Sequence, residues 1–247
     1  VTPSGVWDRS DVTIFGLEKS GLIKLTPQPI RTAGLVADKF KMQWRDNVLT
    51  TISEKNKNDG EWSPTTVLEN FRVWGANVIH PMVVEGRIGR LELAEGESLY
   101  ATRFAGNKAY IVTFLQTDPL WVVDLSDAEN PVIAGQLEVP GWSSHLEPIG
   151  DLLLSIGWES NTIAASLFDV ADPAAPKLLR RLDLGGSYSE AAWDEQALKV
   201  LPDDGLAMIP LTSYDDASGE TTSVVQLLDL DTKGGDLKLR GTIRHEF

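Results

Sequence analysis

The chain has 247 residues, no cysteine, 42% hydrophobic and 23% charged residues, and 36 acidic against 22 basic groups, for a formal net charge of −14. That length and balance suit an ordinary globular chain with a substantial core. The acidic field disfavours nucleic-acid backbones and anionic lipid surfaces, and the missing cysteines exclude disulfides, thiol catalysis and thiolate metal sites. No run approaches the roughly 20 apolar residues of a membrane helix, and Val1 to Gly5 carry neither the basic nor the apolar part of a signal peptide.

In chain order, Val12 to Phe15 and Gly21 to Leu25 read as two strands closing one unit. Four further strand-rich units follow, over residues 38–97, 98–143, 144–188 and 189–247, with 1–37 as the end of a preceding one. Each holds an apolar inner strand: Val48 to Ser53, Tyr110 to Phe114, Leu152 to Ile156 and Leu206 to Leu211. The turn Asp124-Leu125-Ser126-Asp127-Ala128-Glu129-Asn130-Pro131 returns 45 residues later as Asp169-Val170-Ala171-Asp172-Pro173-Ala174-Ala175-Pro176, with a weaker copy at Asp229-Leu230-Asp231. The strand after it recurs as Gly89-Arg90-Leu91, Gly135-Gln136-Leu137, Arg180-Arg181-Leu182 and Gly241-Thr242-Ile243. The last unit is lengthened by a polar insertion at Ser213 to Thr221. Only Glu190 to Asp194 invites a helical turn, where an innermost strand should begin.

A period of about 45 residues with four strands per unit is the blade length of a β-propeller. The expected fold is therefore all-β: about four four-stranded blades plus part of another, a portion of a larger ring. A β-sandwich is the rival, since it too gives short strands and regular turns.

The same residues carry a family resemblance. Ala94 to Phe104, Tyr110 to Phe114 with Thr117 to Leu120, Pro140 to Ser144, Ser166 to Val170 and Ser189 to Asp194 resemble, in order and spacing, the signature segments of a family of secreted bacterial and archaeal proteins with a C-terminal β-propeller domain. Asp38 to Met42 echoes a further segment, and the resemblance spans roughly residues 30 to 212. It departs where Gln43-Trp44 replaces an acidic-and-histidine stretch, at His145-Leu146-Glu147-Pro148, and at Asp194 to Leu198. The resemblance implies a secreted or extracytoplasmic propeller with no established activity. That family's propeller is longer than this chain, so a missing fragment, a partner chain or self-association is expected to cover the outer blades.

No local catalytic constellation is present. His80, His145 and His245 are scattered, and there is no G-x-S-x-G elbow. His145 and Glu147 stand two apart on a strand and so share a side, which makes them a candidate ligand-facing pair near the mouth of a central channel. Their alternative is a hydrogen-bonded polar pair. Trp142 and Trp44, near strand ends, are candidates for stacking on a sugar or anchoring a partner, as are Trp62 and Trp74. Asp124, Asp127, Asp169 and Asp172 offer hard oxygens for calcium, although Asp before a tight turn ordinarily caps its own backbone. No cofactor is implied beyond that calcium reading. The expected function is a non-enzymatic module binding a protein or carbohydrate, without nucleic acid or a membrane span. The alternative is an extracytoplasmic hydrolase or lyase acting on glycans through channel-facing carboxylates from different blades.

Overall fold

In the computed structural model the described residues are 2–3, 8–18, 21–24, 26, 28–56, 63–74, 83–114, 118–139, 141–215 and 219–244. They form four four-stranded sheets, each with its strands in sequence order. Blade 1 comprises Met42–Arg45, Val48–Asn56, Pro64–Trp74 and Val83–Leu93. Blade 2 comprises Ser98–Ala105, Lys108–Phe114, Asp118–Asp124 and Val132–Val139. Blade 3 comprises Trp142–Ile149, Leu152–Glu159, Thr162–Asp169 and Lys177–Asp183, and blade 4 comprises Lys199–Leu201, Leu206–Asp215, Glu220–Asp231 and Asp236–Arg244. This series of four-stranded meanders is the all-β architecture of a propeller. Ahead of it lie a three-stranded sheet (Thr2–Pro3, Ser10–Val12, Ile30–Arg31) and a hairpin (Phe15–Glu18 with Gly21–Lys24). Among the described residues no helix is long and apolar enough to cross a membrane.

The chain divides into two compact units, residues 1–109 with 123–132, and residues 110–122 with 133–247. In the first, the third strand of blade 1 is buried along almost its whole length. Leu49, Phe71 and Val73 pack with Val12 and Ile30 of the N-terminal sheet. Glu69 is only 1% exposed and holds two elements together. Its Oε2 accepts the Ala33 backbone N–H at 2.6 Å, and its Oε1 accepts from Arg87 at 2.7 Å.

In the second unit, blades 3 and 4 share one core, with Leu154, Ile156 and Leu167 packed against Ala191, Ile209 and Leu228. The helical turn expected at Glu190 is a 3-10 turn, Glu190–Ala192, in which the Ala191 N–H is capped by the Ser189 side chain. It displaces the start of the first strand of blade 4, which keeps only Lys199–Leu201. The expected insertion lengthens the second and third strands of this blade as an in-register hairpin that reaches Asp215 opposite Glu220.

One backbone hydrogen bond repeats in every blade. Val73, Leu125, Val170 and Leu230 donate to the carbonyls of Asn47, Asn107, Asp151 and Gly205. It aligns Arg72, Asp124, Asp169 and Asp229 as equivalent positions at the end of each third strand. After it, the turn of one blade seats on the fourth strand of the blade before. A Cβ on Gly89 would lie 2.2 Å from the Ala128 carbonyl oxygen, and one on Gly135 would lie 2.2 Å from that of Pro173. At the next interface Arg180 of blade 3 instead donates to Asp236 beside the turn of blade 4, at 2.8 Å.

That aspartate carries a consequence for pH. Hydrogen bonds from Lys238 and then Arg180 hold the Asp236 carboxyl down at about 2. Asp231 is also lowered, by the backbone N–H groups of Gly234 and Lys233. A carboxylate with a depressed folded pKa adds stability above its unfolded value of about 4 and loses it as pH falls through the folded value. The urea midpoint is therefore expected to drop between about pH 4 and pH 2, and Asp236→Asn is expected to make that drop shallower. An unchanged acid limb in the variant would contradict this.

Candidate ligand-binding cleft

Asp46 and Asn47 join the first two strands of blade 1 with both residues in the left-handed region, φ 49° and 61°. Asp and Asn tolerate that conformation better than other non-glycine residues. This tight turn, the third strand of blade 1 and the turns at Gly106-Asn107 and Leu125 to Ala128 enclose a cleft of about 350 Å³. Thr50 and Asn70 form part of its wall, linked by a hydrogen bond from the Thr50 hydroxyl to Asn70 Oδ1 at 2.7 Å. Asn70 Nδ2 in turn donates to the Ala128 carbonyl at 2.8 Å, which fixes the amide.

The charged and aromatic groups stand above these polar groups. The Arg72 guanidinium pairs with Glu129 at 3.0 Å and lies 5.9 Å from the Trp74 ring centroid. Trp74 is 50% exposed, with its indole N–H held by Glu85 at 2.8 Å. Arg45 pairs with its neighbour Asp46 at 3.2 Å. The cleft thus offers a half-exposed aromatic face with an immobilised ring and two guanidinium groups, over a wall of buried, hydrogen-bonded polar groups. In a chain of net charge −14 it gathers two arginines at one place.

The expected site residues lie elsewhere. His145 and Glu147 do share a side of their strand, with Nε2 to Oε2 at 3.8 Å. They stand opposite Ile156 and Leu154 in the sheet register, and directly opposed residues share a face. Ile156 and Leu154 belong to the core shared with blade 4, so the pair lies on the face turned to that blade, and His145 is buried. Ser144 occupies a bulge just before it. Trp44 is 44% exposed opposite Leu49, outside the cleft lining. Trp142 pairs with Trp158 along the backbone, but its side chain, like Trp62, His80 and His245, falls outside the described residues.

The four candidate calcium aspartates cap their own turns. Asp124 Oδ1 accepts from the Ser126 N–H, Asp127 Oδ1 from Glu129, Asp169 Oδ1 from Ala171 and Asp172 Oδ1 from Ala174. Hydrogen bonds from Ser126 lower the Asp124 carboxyl, and those from Asn130 and then Glu129 lower Asp127. Among the described residues no three His, Asp or Glu side chains gather as a metal-binding group.

Sequence reading passed over Arg45 and Arg72. A signal for Arg72 was nonetheless present, because it replaces the aspartate that blades 2, 3 and 4 carry at the equivalent position.

The beta propeller domain family matches residues 8–247. The chain belongs to that family. Among curated relatives of this beta propeller domain, an uncharacterised protein of Archaeoglobus fulgidus is 41% identical over 115 residues, 46% of this chain and 19% of that protein. An uncharacterised protein of Methanocaldococcus jannaschii is 32% identical over 202 residues, 77% of this chain and 30% of that protein. The chain thus spans under a third of the length of the curated relatives it matches. Of solved structures, a Bacteroides fragilis protein provisionally assigned as a 6-phosphogluconolactonase superimposes with a TM-score of 0.53 at 14% identity, covering 96% of this chain and 65% of that one. At that identity the likeness is one of fold.

Proposed function

We propose that this propeller is an extracytoplasmic, non-enzymatic binding module whose blade 1 cleft takes a carbohydrate bearing carboxylate groups. The observation that carries the reading is Trp74, half-exposed with its indole held in place, beside Arg72 and Arg45. A fixed aromatic face stacks on a sugar ring. Guanidinium groups match a carboxylate with paired donors, and the buried, mutually hydrogen-bonded Asn70 and Thr50 hold the wall beneath them in place.

The carboxylates at the cleft are all engaged: Asp46 with Arg45, Glu129 with Arg72 and Glu85 with the Trp74 indole. Hydrolysis of a glycosidic bond ordinarily uses one carboxyl group as acid and a second as base or nucleophile, so carboxylates tied up in this way favour the binding reading.

Calorimetric titration with oligogalacturonate is the test. Binding is expected for the wild-type chain and weakened at least about tenfold, or about 1.4 kcal/mol, in Trp74→Ala. Equal affinity in the variant would refute the cleft as the site. New reducing ends in the mixture would replace this reading with the hydrolytic one.

A further inference from the structure

Blade 3 and blade 4 have the same design but not the same cover. The pairings Leu152 with Asp169 and Leu206 with Asp229 place Leu154, Ile156 and Leu167 of blade 3 level with Met208, Pro210 and Leu227 of blade 4. The three residues of blade 3 are fully buried in the core that blade 4 completes. Their three counterparts on blade 4 are only partly buried. Burial at these positions comes from the following blade, and on blade 4 this apolar face has no equivalent cover among the described residues.

The fourth strands repeat the contrast. Each register shows a bulge just before Gly89, Arg180 and Gly241, which are therefore equivalent, and the sequence repeat adds Gly135. Gly89 and Gly135 each receive the carbonyl of the following turn within 2.2 Å of where a Cβ would stand. Gly241 has no described heavy atom within 4 Å of that point. Two residues on, Ile243 is 55% exposed, whereas its counterparts Leu91, Leu137 and Leu182 are half-buried.

We infer that blade 4 carries a docking face for one further blade of this repeat, supplied by the same polypeptide, whose turn after the third strand seats a backbone carbonyl at Gly241. Two observations select that occupant. At each interface the covering blade is the next in sequence, and the curated relatives run to more than three times the matched length. An apolar face and a glycine seat of this kind fit a sheet of the same shape.

These 247 residues lack cysteine, so Ile243→Cys places their one thiol on this face, and peptide mapping reads the labelling at that residue in either length of chain. In the natural full-length polypeptide its maleimide labelling is expected to be at least tenfold slower than in the 247-residue chain, with both proteins monomeric. Gly241→Leu in the full-length protein should restore fast labelling. Should that variant fail to fold, hydrogen exchange of residues 237–244 in the unaltered full-length protein gives the same comparison, with protection expected. Equal labelling or exchange in the two lengths would overturn the inference. So would protection of the 247-residue chain that grows with concentration, which would make a second copy the occupant. Continued protection in a folded Gly241→Leu protein would also overturn the glycine seat.

Discussion

Gly135→Val is expected to cost about 3 kcal/mol or more, lowering Tm by roughly 6 to 12 °C in a domain of this size. The new Cβ would stand 2.2 Å from the Pro173 carbonyl oxygen and 3.0 Å from the Ala174 carbonyl carbon. Both atoms belong to backbone, so no side-chain rotation relieves the clash and the turn itself has to move. That turn is braced by the Asp169 and Asp172 caps, and its exit residue Pro176 is buried. Displacing it disturbs the contact between successive blades, a large-effect mechanism of the overpacking kind. Thermal unfolding of the variant measures the effect, and a Tm within 2 °C of wild type would contradict the seating of each turn on the preceding blade.

Glu69→Ala is expected to cost about 2 kcal/mol, because it removes a buried acceptor from the Ala33 N–H, while Arg87 is half-exposed and regains water. The carboxylate accepts the Ala33 N–H through one oxygen and the Arg87 guanidinium through the other, with Arg90 at 3.6 Å. Its loss leaves a backbone donor unsatisfied where the segment around Leu35 docks on blade 1 through paired backbone bonds with Glu54. Glu69→Gln keeps an acceptor for Ala33 but loses the charge facing Arg87, so an intermediate cost is expected. Urea unfolding of both variants gives the order: wild type most stable, then Gln, then Ala. Equal stability of Gln and Ala would mean that the bond to Ala33 contributes nothing.

The propeller was legible in the sequence because turn chemistry repeats with the blades. Asp124 and Asp169 each cap a backbone N–H two residues on, and Gly89 and Gly135 on the fourth strands of blades 1 and 2 are fixed by the carbonyls packed against them. These are local, backbone-driven requirements, so they survive in residue identity. The first strand of blade 4 was not legible, since the Ser189-capped turn at Glu190 leaves room for only three strand residues before the next turn.

The site was harder to read for a physical reason. The i, i+2 rule placed His145 and Glu147 on one side of a strand, and they are 3.8 Å apart. It carries no information on which neighbour that side meets, and the structure shows it turned to the core shared with blade 4. The cleft draws Trp74 from one strand end, Arg45 from another and its polar rim from two turns of blade 2. Such a site has no local motif. Its one sequence mark is Arg72, where the repeat otherwise has aspartate.

Nitrogen-15 NMR of the tryptophan indole and arginine Nε groups during titration with oligogalacturonate tests the central functional claim most directly. The account predicts that the Trp74 indole and the Arg72 and Arg45 Nε–H resonances shift together and saturate, while Trp193, 66% exposed in the other unit, stays still. Shifts centred on Trp193 or on the His145 strand, with the Trp74 signal unmoved, would contradict it.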